Sequence, residues 1–196
     1  RDVGPPRCAL KIDIKKAYDS VNWEALSAIL RHMGTPTHLL NCIVACVTTP
    51  MFSVAVNGEL AGFFAGKKGL RQGDPMSPFL FVIVMEVLSR SLSLATLRDD
   101  FEFHFRCEKV HLSHLCFADD LFLFAKASPV TIQILMDEMK AFGEFSGLQI
   151  NHSKSALFIC GASDSVKADI IRITGMNLGC LPLRYLGVPL ISSRLK

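Results

Sequence analysis

The sequence predicts an α+β fold in which helices pack on one face of an antiparallel sheet, and three features carry that expectation. Residues 8–14 alternate between apolar and polar positions, the period of a half-buried strand. Several longer stretches repeat apolar residues at helical spacing. Strand-like runs at 52–56 and 60–64, and again at 110–117 and 121–125, are separated by turns so short that each pair must be an antiparallel hairpin. The chain has 196 residues, 50% of them hydrophobic and 20% charged, with 14 Phe; it sustains a core and is not intrinsically disordered. One domain with an appendage is the expected organisation.

In the first strand Leu10, Ile12 and Ile14 share one face and Lys11 and Asp13 the other, which leaves a carboxylate on the polar side near the strand's end. Ser20 or Asn22 is suited to cap a helix carrying Trp23, Leu26, Ile29, Leu30 and Met33, with Gly34 as its stop. A second apolar helix is expected over 37–47. Asn57-Gly58, the pair that suits a type I′ turn, divides the first hairpin. Residues 66–78 form a loop rich in Gly and Pro that holds Lys67, Lys68, Arg71, Gln72 and Asp74. A long helix is expected over 77–97, capped by Ser77 with Pro78 at its first position. The second hairpin turns at Ala118-Asp119-Asp120. A helix over 130–145 ends at Ser146-Gly147. A strand over 155–160 follows the polar turn that contains Lys154, a short helix covers 164–174, and 185–190 is extended.

The formal net charge of +3 is unevenly spread, +4 over residues 1–98 (11 Lys and Arg against 7 Asp and Glu) and −1 over 99–196 (10 against 11). A small basic bias permits a polyanionic partner without demanding one. The seven cysteines are odd in number and never form C-x-x-C, so they read as buried thiols of an intracellular protein. The longest clean apolar run, 79–85, stops at Glu86, far short of the roughly 20 residues of a membrane helix, and no membrane partner is expected. No secretory signal is expected, since residues 1–30 lack the basic, apolar and small-residue succession of one. Because it starts at Arg1, with a mean hydropathy of +0.35, a piece of a longer polypeptide is expected.

Two adjacent acids at a hairpin tip repel each other, and a turn selected for stability alone would carry Asn-Gly. A divalent cation removes the conflict, since hard cations take carboxylate oxygens. Asp13, near the end of another strand, is placed to supply a third carboxylate. Three acids on a rigid sheet suit two-metal phosphoryl transfer.

Taken in order along the chain, the motifs resemble those of reverse transcriptases. Leu10-Lys11-Ile12-Asp13-Ile14-Lys15-Lys16-Ala17-Tyr18-Asp19-Ser20-Val21 is similar to their first catalytic motif, and Gly69-Leu70-Arg71-Gln72-Gly73-Asp74-Pro75-Met76-Ser77-Pro78 to the loop that meets the incoming nucleotide. Phe117-Ala118-Asp119-Asp120 resembles the aromatic-x-Asp-Asp box. Gly147-Leu148-Gln149-Ile150-Asn151-His152-Ser153-Lys154-Ser155 resembles the motif that follows, and Tyr185-Leu186-Gly187 the primer-grip region. The wording is nearest to non-LTR, LINE-type retrotransposon enzymes, especially plant ones.

The resemblance implies a polymerase palm-type sheet, with palm at about 8–21 and 69–160, part of the fingers within 22–68, and the palm's end and primer grip at 161–196. Asp13 and Asp119 would ligate two Mg²⁺ ions, or Mn²⁺ in their place, with the Ile14 carbonyl as a further ligand and Asp120 as the least secured of the set. Tyr18 would lie under the sugar, Arg71, Gln72 and Gly73 against the nascent base pair and phosphates, and Lys154 would protonate the leaving pyrophosphate. The implied partners are an RNA template, a DNA primer and deoxynucleoside triphosphates, together with fingers, thumb and endonuclease regions of a longer polyprotein. The implied site of the integration step is the nucleus. Two rivals stand beside this reading. One is an inactive retroelement remnant that at most binds nucleic acid; the other is an unrelated metal-dependent phosphohydrolase, which the Gln72-Gly73-Asp74-Pro75 loop disfavours.

Overall fold

A computed structural model describes residues 4–186 and 188–190. Strand β1 (Arg7–Asp13) alternates half-buried and buried side chains along its length, as its two-residue period demands. Lys16 then adopts a left-handed conformation (φ 44°, ψ 52°) that turns the chain into the one-turn helix α1 (Ala17–Ser20). Asn22, not Ser20, caps α2 (Trp23–His32): its Oδ1 accepts the N–H groups of Glu24 and Ala25 at 2.7 and 3.2 Å. After α3 (Thr37–Thr48), β2 (Met51–Val56) and β3 (Glu59–Ala65) form the expected hairpin, with positive φ at both Asn57 and Gly58. This hairpin is a separate two-stranded sheet, exposed on both faces.

Helix α4 (Ser77–Ala95) does not take Ser77 as its cap. Met76 holds that position, Ser77 is the first helical residue and Pro78 the second. The Asp74 carboxylate already reaches the entering backbone, accepting the Met76 N–H at 2.9 Å, so Ser77 is free to turn into the core. By length and composition α4 is able to span a bilayer; here Leu80, Phe81, Val84, Leu88 and Leu92 are buried in the core.

The strand expected over 110–117 is shorter. Glu108–Val110 is a turn of 3-10 helix, His111 is left-handed (φ 49°), and β4 covers only His114–Phe117. The Cys107 carbonyl accepts from both Val110 and Leu112, a local turn that competes with extension. Strand β5 (Asp120–Ala125) begins one residue early, so the turn is Ala118-Asp119 and Asp120 is a strand residue opposite Phe117. Helix α5 (Pro129–Ser146), strand β6 (Ala156–Cys160) and helix α6 (Asp164–Thr174) follow the sequence pattern to within a residue. Strand β7 (Asn177–Leu178) has no counterpart in that pattern. The last segment, expected to be simply extended, is a small hairpin of β8 (Leu183–Tyr185) and β9 (Val188–Leu190). Gly187, in the motif around Tyr185, lies outside the described residues, as do 1–3 and 191–196.

The main sheet runs β4-β5-β1-β6-β7 and is antiparallel except for the β6–β7 pair. Its inner face, with Leu10, Ile12, Leu121, Leu123 and Leu157, shares one core with Leu88, Leu135, Met139 and Ile170 of the helices. The result is the expected α+β arrangement, a mainly antiparallel sheet backed by helices on one face. On the other face lie Lys11, Asp13, Asp120 and Phe122, and the Tyr185 ring meets Phe122 edge-on at 4.8 Å.

The cysteines depart from expectation. Only Cys8 is buried; Cys107 and Cys160 are half-buried, and Cys42, Cys46, Cys116 and Cys180 are exposed. Helix α3 explains two of them: Leu40 is its one buried residue, so Cys42 and Cys46 face outward.

His114 ties the second hairpin to α4. Its Nε2 bonds Ser89 Oγ at 2.8 Å and its Nδ1 bonds Ser113 Oγ at 2.9 Å. Desolvation by burial lowers its pKa below the usual 6.5, against a smaller upward pull from Glu86. The unfolded chain therefore takes up the proton first as pH falls through 6.5, and stability is lost on the acid side. Thermal unfolding measured between about pH 7 and pH 5 is expected to show a falling midpoint. The fall should be shallower in His114→Gln, where the remaining slope reports His104, whose pKa is lowered in the same direction by burial and by Arg7 and Arg106.

Candidate active site

The antiparallel register sets Asp13 directly opposite Asp120. Residues directly opposite in such a ladder project from the same face with Cβ atoms about 4.5–5.5 Å apart. Asp120 thus shares a sheet face with Asp13, while Asp119 stands in the turn beyond the strand. Ala118 enters that turn at φ 51°, positive at the first of two turn residues, where a type II′ turn needs it. The neighbours of the two acids differ. Burial raises the Cys116 thiol's pKa and the Asp119 charge adds to it; burial likewise raises Tyr185, with Asp120 as the next cause.

An open cleft of about 570 Å³ lies at this end of the sheet. Six of the residues predicted from sequence line it together: Asp13, Ile14, Tyr18, Gln72, Asp119 and Lys154. Three do not. Asp120 is outside the cleft lining despite sharing Asp13's face, and Gly73 and Arg71 are outside it too. The Arg71 guanidinium pairs with Asp74 at 2.8 Å. Lys15, Lys16, Ser20 and Asn151 also line the cleft, although sequence reasoning assigned them no chemistry. The left-handed turn at Lys16 wraps 15–18 around the cleft, and no residue at that position signals such a turn.

Two long-range docking contacts build the cleft walls. The loop that begins at Gly69 is pinned to the first motif through main-chain bonds: Gly69 N–H to the Val21 carbonyl and Leu70 N–H to the Tyr18 carbonyl, both 2.7 Å. Trp23 Nε1 donates to the Gly69 carbonyl at 2.6 Å. Gly69 (φ 94°) is required here, because a Cβ would stand 2.7 Å from the Asp19 carbonyl oxygen. Tyr18 is fixed from its other side by stacking on Phe81, with ring centroids 4.7 Å apart and planes 13° from parallel. On the opposite wall Lys15 N–H donates to the Gln149 carbonyl at 2.9 Å and Ile14 bridges to Ile150.

Acids and lysines meet in this cleft. Asp13 and Asp119 supply hard carboxylate oxygens, while Lys15, Lys16 and Lys154 supply cations suited to phosphate. Among the described residues no three His, Cys, Asp or Glu side chains gather into a closed metal cage. Two cleft carboxylates fit a Mg²⁺-type ion, which completes its shell from water and substrate phosphates; they do not fit a structural site sealed by protein ligands.

A profile described as reverse transcriptase (RNA-dependent DNA polymerase) matches residues 2–190. The chain is 26% identical over 192 residues to the Pol polyprotein of a type-1 retrotransposable element R2 from Popillia japonica, covering 94% of this chain and 31% of that protein. It is 30% identical over 143 residues to the Pol polyprotein of the type-2 element R2DM of Drosophila melanogaster, covering 73% and 13%. An uncharacterized mitochondrial protein of Arabidopsis thaliana is 33% identical over 108 residues, 55% of this chain and 88% of that one. The chain thus spans less than a third of the length of either Pol relative. In fold it is similar to telomerase from Candida albicans, with a TM-score of 0.66 and 13% identity over 94% of this chain and 29% of that one. With the profile matching almost from end to end and the motifs meeting in one cleft, the chain belongs to the reverse transcriptase (RNA-dependent DNA polymerase) family.

Proposed function

We propose that this chain is the catalytic part of an RNA-directed DNA polymerase of a LINE-type retrotransposon, adding deoxynucleotides to a primer 3′ end. The observation that carries the reading is the shared cleft of Asp13 and Asp119 with Tyr18, Gln72 and Lys154, residues drawn from four separate motifs. The family generally uses divalent metals. Asp13, Asp119 and the Ile14 carbonyl would hold two Mg²⁺ ions, or Mn²⁺, with Asp120 as an accessory carboxylate. Ions held by these residues would supply Lewis-acid activation of the primer 3′-hydroxyl and charge neutralisation for the leaving oxygens.

The chain's own residues do the rest. Tyr18, held flat against Phe81, presents a rigid ring beneath the sugar. Gln72, together with Gly73, lies against the nascent base pair. Lys15 and Lys16 attract the triphosphate, and Lys154 Nζ gives up a proton to the leaving pyrophosphate. Arg71 reaches a phosphate only by exchanging its Asp74 partner. The partners are an RNA template, a DNA primer and deoxynucleoside triphosphates, and the site of integration is the nucleus. The greater length of the R2 relatives supports a longer polyprotein; its fingers, thumb and endonuclease regions are the further partners of this reading.

Primer extension with matched RNA and DNA templates tests the reading, on this chain and on a version lengthened at both ends to the span of the R2 relatives. The lengthened protein is expected to extend the primer on RNA with Mg²⁺. This chain alone is expected to extend little, because each lost phosphate contact weakens binding steeply at physiological salt. A lengthened protein that binds primer–template yet extends nothing with Mg²⁺ or Mn²⁺ refutes polymerase function.

A further inference from the structure

Asp13 sits where the β1–β6 ladder breaks. The ladder ends at Lys11 opposite Ala156, and pairing resumes at Ile14 opposite Ile150. Between these points β1 has only Ile12 and Asp13, while the facing chain loops out through 151–155. That loop carries Lys154, and it closes on itself through Lys154 N–H and Ser155 N–H to the Asn151 carbonyl at 3.1 and 2.9 Å. With the facing strand looped away, the main-chain groups of Asp13 need other partners. Its carbonyl accepts the Asn151 N–H at 2.8 Å. Its N–H donates to the Ser155 hydroxyl oxygen at 3.0 Å, from a residue only 3% exposed and 142 positions away.

We propose that Ser155 is a positioning residue for the metal-binding carboxylate of Asp13, and that the loop bearing Lys154 is registered to Asp13 through it. The inference rests on the reading of Asp13 as a metal ligand and deepens it. The Ser155 hydroxyl replaces the missing rung of the ladder. It fixes the backbone from which the carboxylate projects, at the open end of the sheet where β1 has no further β6 partner. The Asn151 contact anchors the same loop from the other side, so the acid and the lysine across the cleft keep one spacing. Partners bonded to the ligating side chain itself tune metal affinity about 10–100-fold; Ser155 acts one step further out, through the Asp13 backbone, and its effect belongs at the low end of that range.

The test uses Mn²⁺ as the probe, with binding followed by electron paramagnetic resonance and amide exchange by NMR, on this 196-residue chain. Asp13→Asn should abolish Mn²⁺ binding in the cleft. Ser155→Ala should weaken it by about tenfold and speed Asp13 amide exchange by up to about tenfold, with the Leu10 and Leu121 amides unchanged. Ser155→Thr, which keeps the hydroxyl, should restore both. If Ser155→Ala does not fold, Ser155→Cys, with similar volume and a weaker acceptor, takes its place in the same comparison. Wild-type Mn²⁺ affinity and Asp13 protection in Ser155→Ala, alongside lost binding in Asp13→Asn, overturn the role of Ser155 and leave the metal site standing. Unchanged binding in Asp13→Asn overturns the metal site and this inference with it.

Discussion

Asp119→Asn is expected to abolish nucleotide addition in the lengthened protein while leaving the fold intact. Asp119 stands in a two-residue turn and shares the cleft with Asp13. Its amide replacement keeps the shape of the turn and removes one of two cleft carboxylates. Losing a full ligand charge at a shared cation should cost on the order of 4 kcal/mol of transition-state stabilisation, about a thousandfold in rate. Asp120→Asn should be milder, because Asp120 shares the sheet face of Asp13 but lies outside the cleft lining. Single-turnover extension measures both, with circular dichroism and unfolding as controls. Stability should be unchanged or slightly raised, since like charges at Asp13, Asp119 and Asp120 are thinned. Asp119→Asn turning over at the wild-type rate removes Asp119 from the chemistry; equal losses at both positions make Asp120 a ligand of equal rank.

Tyr18→Ala should admit ribonucleotides. The ring stacks on Phe81, which is 1% exposed, and the Tyr18 carbonyl accepts the Leu70 N–H at 2.7 Å. A ring so fixed cannot yield to a ribose 2′-hydroxyl, which meets both steric overlap and an unsatisfied polar contact. Rejection of that kind is worth on the order of 2–4 kcal/mol, roughly thirtyfold to a thousandfold in relative efficiency. Tyr18→Phe should keep the discrimination, because the ring edge and not the hydroxyl does the excluding. Tyr18→Ala also uncovers Phe81 and should lower stability by about 2 kcal/mol. Competition between ribo- and deoxynucleotides reads the gate separately from stability. If use of both nucleotides falls together, Tyr18 serves packing only.

The sequence by itself determined the elements whose causes are local. The alternation of 8–14, the Asn57-Gly58 turn and the helix Asp164–Thr174 all appear where period and turn chemistry put them, and α+β follows from their order. The candidate residues and their order were equally legible, because Asp13, Gln72, Asp119 and Lys154 stand in motifs that can be read one at a time. Tertiary structure alone decided how they meet. The pairing of Asp13 with Asp120 is a ladder register between strands over a hundred residues apart, set by burying Ile12 and Leu10 against Leu121 and Leu123. That register made Asp120 a strand residue and left Asp119 in the turn. The strand expected over 110–117 shortened because the Cys107 carbonyl captured two local N–H groups. Cys42 and Cys46 are exposed because burial depends on which face of a helix packs, and α3 packs through Leu40, Ile43, Val44 and Val47. The Trp23 bond to Gly69 and the Ser155 bond to Asp13 joined segments that no period in the chain relates. Periodicity and turn residues encode energies between near neighbours; register and docking are settled only when distant surfaces compete for the same core and the same hydrogen-bond partners.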